Sequence, residues 1–385
     1  MKIIYTIAGL YRPAGMERIL TGKANYLAEH GHEVLIVTTE QKGRSAAFEL
    51  HSTIRCVDLG IGYEDNNGAS VWSKLFQYPG KHRRHKKALR ELLMRERPDI
   101  TVSMFCGDET FLPLIKDGSK KVLEVHFSRF KRLQYDRAGL WGRIDRLRSR
   151  QESRIPARFD RFVTLTREDL GYWGNPQNGT AIPNFIDKMP DEISKCEGGM
   201  VAAVGRLCHQ KGFDRLIDAW KIVRRNDASR GWKLIIVGDG EDRYQLQKQI
   251  NDLGLTDYVK LKGPCNNMKP VYQSASVLAL TSRYEGLPMV LLEAQGYGIP
   301  SVCFDCKCGP RDVITDGEDG VLVKDGDIEA FAEALIALMR DEGLRQRMGT
   351  AARNAAVRWD KEAIMQQWLK LFGDVCSEQG SRKRL

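Results

Sequence analysis

Short apolar runs rich in β-branched residues alternate along the chain with stretches whose apolar positions recur at helical spacing. KIIYTI (2–7) predicts a buried strand, 16–30 a helix stopped by Gly31, and HEVLIVTT (32–39) a second strand. A strand–loop–helix–strand unit with a short exit implies parallel strands joined by a right-handed crossover. Further strands are predicted at DITVSM (99–104), KVLEVHF (121–127) and RFVTLT (161–166). This is the rhythm of a doubly wound α/β domain.

The alternation breaks at 181–199, where prolines, glycines and polar residues intervene, and then begins again. Strands are predicted at 200–206, 232–240, 258–263, 276–282 and 300–305, with helices at 213–225, 243–254 and 287–298. Two Rossmann-like domains, 1–185 and 186–360, are the most economical account. Ligands of open α/β sheets sit beyond the carboxyl ends of the strands, so substrates are expected in a cleft between two such domains. RWDKEAIMQQWLKLFG (358–373) predicts an amphipathic helix marked by Trp359, Ile364, Trp368 and Leu371, before a polar tail at 377–385.

Composition narrows the class. The chain has 385 residues, and 42% hydrophobic with 8% aromatic residues is enough for packed cores and excludes a disordered polymer. No apolar run approaches the ~18–20 residues of a membrane-spanning helix, and the N-terminus lacks a small-residue cleavage site. A cytoplasmic protein that is neither secreted nor integral to a membrane is expected. The nine cysteines are odd in number and scattered, which fits reduced thiols. Cys303, Cys306 and Cys308 cluster but lack the fourth ligand that tetrahedral zinc needs, so no metal site is assigned.

The formal charge of +10 lies wholly in the first half: residues 1–185 carry 31 Lys+Arg against 21 Asp+Glu, the remainder 29 against 29. Stretches 81–97 and 129–167 supply much of it. Such patches either attract polyanions (nucleic acid, phospholipid headgroups, pyrophosphate-bearing substrates) or are solvated helix faces.

The most informative segment is SVLALTSRYEGLPMVLLEAQGYGIPSV, where a strand ends at Ser282 and a helix is expected near Pro288. Amides around Gly286, Leu287, Met289 and Val290 would be orphan donors at the positive end of a helix dipole, a natural seat for phosphate. Glu285 and Glu293 frame that seat. Carboxylates repel phosphate but suit the hydroxyls of a sugar or ribose. Arg206 follows a strand, and Lys211 stands just before Gly212-Phe213 opens a helix. Two fixed cations at such a junction are what a diphosphate needs, each charge-assisted bond contributing roughly 1.5–3 kcal/mol.

These segments resemble the retaining glycosyltransferases of family 4, which have the GT-B fold and use nucleotide-sugar donors. The resemblance covers nearly the whole chain and is strongest from Val201 to Val323, through GRLCHQKGFDRLIDAW, IIVGDGED, Glu285…Glu293 and CGPRDVITDGEDGVLV. It implies that Arg206 and Lys211 neutralise the leaving diphosphate. Glu293 would hold the ribose, Glu285 the donor sugar, and Gly263 and Pro264 would lie near the base. Ala14-Gly15-Met16-Glu17-Arg18 resembles the family's glycine-rich loop, with Gly15 letting the backbone approach the donor phosphate. His126 matches a histidine beside the donor sugar and acceptor, and Ile182-Pro183-Asn184 matches the element between the domains. The resemblance also implies that helix 361–376 crosses back onto the first domain, and that transfer retains anomeric configuration by front-side attack. Asp325-Gly-Asp327 lies in a surface turn and is no metal-holding DxD, so no metal or other cofactor is expected.

The basic first half is where the family places its acceptor. Between Arg129 and Arg158, arginines interleave with Phe130, Leu133, Tyr135, Leu140, Trp141, Ile144 and Leu147. That suits a lipid-linked glycan at an anionic membrane surface. The resemblance implies a hexose or N-acetylhexosamine donor on UDP, and CGPRDVI is similar to the pattern of members that transfer galactose or N-acetylgalactosamine. A nucleotide-sugar epimerase of the same fold and a basic nucleic-acid-binding protein stay open as alternatives, although no nucleic-acid recognition motif is present and no nucleic-acid partner is expected. A dinucleotide-dependent dehydrogenase fails, because AGLYRPAGMER lacks G-x-G-x-x-G.

Overall fold

The structure, a computed structural model, describes residues 1–66, 71–131, 139–265 and 267–382. The described residues divide into two units. The first takes Met1–Arg129, the chain from 139 to Pro183, and the chain from Ile364 onward. The second takes Phe130, Lys131 and Asn184–Ala363.

The first unit is built on strands β1 (Lys2–Ile7), β2 (Glu33–Thr38), β3 (Arg55–Asp58), β4 (Ile100–Ser103), β5 (Lys120–Val125), β6 (Arg161–Thr164) and β7 (Gly179–Ala181). They form one parallel sheet in the order β3-β2-β1-β4-β5-β6-β7. Strand order reverses between β1 and β4, as in other doubly wound sheets. Central strands covered on both faces read as continuous apolar runs, and residues 3–7 of β1 are all buried. The two edge strands β3 and β7 add to the five strands that the hydrophobic pattern predicts. Residues of β3 are mostly exposed and polar, so no apolar run betrays it.

The second unit repeats the plan with β8 (Met200–Val204), β9 (Lys233–Val237), β10 (Val259–Lys262), β11 (Val277–Leu280), β12 (Ser301–Asp305) and β13 (Gly320–Lys324). Its parallel order is β10-β9-β8-β11-β12-β13, reversing between β8 and β11. Helix Phe213–Val223 buries Phe213, Leu216, Ile217, Trp220 and Val223 at helical spacing against this sheet, forming the centre of its core.

Three boundaries differ from the sequence expectation. Trp359 is not part of the last helix: it ends a short turn, Ala356–Trp359, in the second unit. The last helix runs Lys361–Arg382, through positions expected as a polar tail, and Glu378 there pairs with Arg161 of the first unit. From Ile364 it belongs to the first unit, with Ile364, Met365, Trp368 and Phe372 all buried. The helix expected near Pro288 runs Met289–Gly296 with Pro288 as its N-cap, which leaves Leu287 outside the helix. Among the described residues no helix is long and apolar enough to cross a membrane.

That Met289–Gly296 helix is anchored by one buried amide. Gln295 is 0% exposed, and its Nε2 donates to Val313 O (2.8 Å) and Asp319 Oδ2 (2.9 Å). Its Oε1 accepts from Trp359 Nε1 at 2.7 Å. Gln295→Leu would remove all three bonds and strand Trp359 Nε1 in the interior, at about 1–3 kcal/mol, while Val313 O keeps its bond from Arg358 and Asp319 its bond from Thr315 N. A drop in thermal midpoint is expected on a calorimetric scan, and an unchanged midpoint would contradict this account of the anchor.

Candidate functional site

The second unit's site is assembled where β8 and β11 end. After β8 the chain passes Gly205 and Arg206 and reaches the turn His209–Lys211. The stem of Lys211 lies against Gly205, where a Cβ would meet Lys211 Cε at 3.2 Å. Its Nζ donates to Glu285 Oε1 at 2.7 Å, and Ser282 Oγ donates to the same oxygen at 2.6 Å. The pair is largely shielded, the side chains being 18% and 6% exposed. Arg206, beside Gly205, is exposed. The two segments that the sequence linked by charge alone, 74 residues apart, are thus in contact.

One backbone and two side-chain hydrogen bonds lock the two loops together. Arg283 N donates to Gln210 O (2.8 Å), Gln210 Nε2 to Tyr284 O (3.1 Å) and Arg283 Nη1 to His209 O (2.8 Å). Gly212 has φ +62, and a Cβ there would lie 2.2 Å from Thr281 O. The close approach that places Lys211 beside Glu285 therefore requires glycine. A bidentate pair completes the clamp: Arg283 donates to Asp214 Oδ1 (2.9 Å) and Oδ2 (2.6 Å). Neither Arg283 nor Asp214 was singled out by the sequence, because their partnership exists only once the sheet has formed.

Burial alone would raise the Asp214 carboxyl, yet the Arg283 guanidinium holds it below the usual aspartate value of 3.8. A depressed carboxyl stabilises the fold above its unfolded value and loses that contribution as pH falls through its folded one. Asp214→Asn is expected to lower the thermal midpoint at pH 7, with the gap from wild type closing as pH drops below about 4. A gap constant with pH would show that the charge plays no part.

No side chain caps the helix Met289–Gly296, which Leu287 and its N-cap Pro288 separate from Glu285 and Gly286. The loop of the CGP element packs against this start: Gly309 has φ +99, and a Cβ there would meet Pro288 Cδ at 2.6 Å. Glu285 N also donates to Lys307 O at 3.3 Å. Cys306 is buried beside the pair, and burial, then the Glu285 charge, pushes its thiol far up. Glu293 lies in the helix and its Oε2 accepts from Tyr272 Oη, the Tyr272 ring stacking on Tyr297 at 5.1 Å. Gly263 and Pro264 follow β10, with open space around Gly263 where a Cβ would stand. Of the Asp325-Gly-Asp327 turn, Asp325 pairs with Arg215 and Asp327 caps the helix Ile328–Arg340, so both carboxylates have structural work.

In the first unit, His126 directly follows β5, and its Nε2 lies 2.7 Å from Glu124 Oε1. Gly15 opens the helix Gly15–Glu29 as its first residue rather than lying in a preceding loop, and it is exposed. Within the basic stretch, Gly139–Glu152 is a helix with Leu147 60% exposed. Leu133 and Tyr135, and the side chains of Leu140 and Trp141, lie outside the described residues.

Comparison with known proteins accounts for both halves. The family model "Glycosyltransferase Family 4" matches residues 13–188, and "Glycosyl transferases group 1" matches 187–355. The chain is 40% identical over 220 residues to the amylovoran biosynthesis glycosyltransferase AmsD of Erwinia amylovora, covering 54% of this chain and 61% of that one. It therefore spans less than two thirds of the length of this curated relative. It is 28% identical over 392 residues to the GalNAc-α-(1→4)-GalNAc-α-(1→3)-diNAcBac-PP-undecaprenol α-1,4-N-acetyl-D-galactosaminyltransferase of Campylobacter jejuni, covering 97% and 99% of the two chains. Among solved structures, TarM of S. aureus in complex with UDP and α-GlcNAc-glycerol superposes with a TM-score of 0.76 at 16% identity, covering 96% and 99%. That likeness establishes the GT-B fold. With one model describing its first half and the other its second, the chain belongs to the family 4 (group 1) glycosyltransferases.

Proposed function

We propose that the protein is a hexosyltransferase that moves a hexose or N-acetylhexosamine from a UDP-sugar to a lipid-linked glycan in bacterial lipopolysaccharide, capsule or O-antigen assembly. The observation that carries this reading is the Lys211–Glu285 contact of 2.7 Å beside an uncapped helix start. A cation and helix amides there can hold a departing diphosphate, while the adjacent carboxylate accepts hydrogen bonds from sugar hydroxyls. Relatives named for amylovoran biosynthesis and for transfer onto a PP-undecaprenol-linked glycan support the acceptor class. A structural neighbour solved with UDP supports the donor.

In this reading Lys211 and Arg206 neutralise the diphosphate, helped by amides near Gly286, Leu287, Met289 and Val290. Glu293 takes the ribose, Gly263 and Pro264 border the base, Gly15 serves the phosphate, and Glu285 and His126 act at the sugar. The bond from the anomeric carbon to the phosphate oxygen breaks as the acceptor hydroxyl attacks the same face, and its proton passes to the departing phosphate, with retention. Cationic side chains supply the charge stabilisation, so the reaction is proposed to run without a metal.

The test is a panel of UDP- and GDP-sugars assayed for thermal stabilisation and hydrolysis, in which a UDP-sugar should both stabilise and be hydrolysed. Conversion of the nucleotide-sugar to its epimer without acceptor would favour the epimerase instead. The basic, Leu147-bearing helix Gly139–Glu152 supports an anionic membrane surface as partner. Co-flotation with vesicles containing anionic phosphatidylglycerol, but not with pure phosphatidylcholine, is expected. Equal partitioning with both would remove the membrane from this reading.

A further inference from the structure

The first unit buries an ion pair between its first helix and β5. Lys23, on the helix Gly15–Glu29, and Glu124, on β5, have side chains only 1% exposed, and Lys23 Nζ donates to Glu124 Oε2. The Lys23 ammonium also sits 3.5 Å from the centroid of the Trp368 ring. Moving both charges out of water costs several kcal/mol per ion, which their attraction rarely more than offsets. The second carboxylate oxygen is spent elsewhere: Glu124 Oε1 lies 2.7 Å from His126 Nε2.

Burial alone would raise the Glu124 carboxyl, but Lys23 and then His126 bring it down to about 2. An ionised carboxylate can only accept hydrogen bonds, so the proton between it and His126 resides on Nε2. In the neutral ring Nδ1 then carries the free lone pair.

We propose that Glu124, clamped by Lys23 beneath Trp368, is a positioning residue that holds His126 in the Nε2-protonated form and presents Nδ1 as acceptor to a substrate hydroxyl. This rests on the reading of His126 as a group acting at the sugar. The logic is that of the carboxylate in a Ser-His-Asp triad, where the corresponding amide imposes the wrong tautomer.

The experiment uses the full chain with ¹⁵N-labelled histidine. Glu124→Gln keeps an oxygen for Lys23 and turns its NH₂ toward His126, so Nε2 must accept and the proton must move to Nδ1. The His126 imidazole ¹⁵N signals, assigned with His126→Ala, should exchange their protonated and bare signatures, and no substrate is required. Hydrolysis of the fastest among UDP-glucose, UDP-galactose and their N-acetylhexosamine counterparts should fall tenfold or more in kcat, with UDP affinity within twofold. Lys23→Met/Glu124→Gln frees the amide to turn its oxygen to His126. It should recover at least tenfold over Lys23→Met/Glu124→Met, which is equally uncharged but offers no acceptor.

Unaltered signals in folded Glu124→Gln, or equal kcat in the two double variants, would overturn the proposal. Should Glu124→Gln fail to fold, the two double variants decide the matter. If His126→Ala itself keeps full activity, the assignment of His126 is what fails, whereas loss in His126→Ala with no difference between the double variants condemns the positioning role alone.

Discussion

Gly212→Val is expected to destabilise the second unit by several kcal/mol and to abolish donor binding together with it. The left-handed conformation at φ +62 costs a non-glycine residue about 1–2 kcal/mol. Any Cβ would also sit 2.2 Å from Thr281 O, a backbone atom that cannot swing aside like a side chain. Relieving that overlap requires the loop ending at Lys211 to part from the end of β11, typically a further 1–3 kcal/mol. The same movement withdraws Lys211 from Glu285. Calorimetry should register a fall of roughly 10 °C, and titration with UDP should show no saturable binding. A variant as stable as wild type would mean that the clamp between these loops is not under the constraint the geometry describes.

The second large effect separates cation from carboxylate. In the proposed reading Lys211→Ala removes a charge-assisted contact to the diphosphate, and it leaves Glu285, 5% exposed, with Ser282 as its remaining bonded partner of the two described above. UDP affinity should fall by tenfold or more, since one such contact contributes about 1.5–3 kcal/mol. Turnover should fall by about 10²–10³, as for loss of a group that stabilises developing negative charge. Glu285→Gln should behave differently, keeping or tightening UDP binding while slowing release of the sugar. Isothermal titration with UDP alone, beside kcat for the UDP-sugar, distinguishes the two. Parallel loss of UDP affinity in both variants would show that the pair acts only as a structural tie.

Central strands were legible because burial on both faces forces apolar runs, as in residues 3–7 of β1. Edge strand β3 was not, since all its residues but Val57 face water and it carries no such run. The helix start at Met289 was displaced because Pro288 fits either the cap or the first turn. At the site, residue types suggested Lys211 and Glu285, but nothing in their spacing could say that they touch. Arg283 with Asp214, and Tyr272 with Glu293, were invisible for the same reason: their partners lie 69 and 21 residues away, and only the sheet order brings them together. Helical spacing continues across Asp360 and so links Trp359 to Trp368 in the sequence, whereas the turn Ala356–Trp359 ends in the second unit.

The aromatic ring of Trp368 over Lys23 also bears on how the polypeptide matures as it leaves the ribosome. Every strand of the first unit has been synthesised by residue 181, yet the lid over its charged centre, Trp368, arrives about 190 residues later. Throughout that interval the nascent unit must keep Lys23 and Glu124 hydrated or shielded by other means. The second unit runs nearly contiguously to Ala363, just before Trp368 emerges, so both halves can complete their packing only near the end of synthesis.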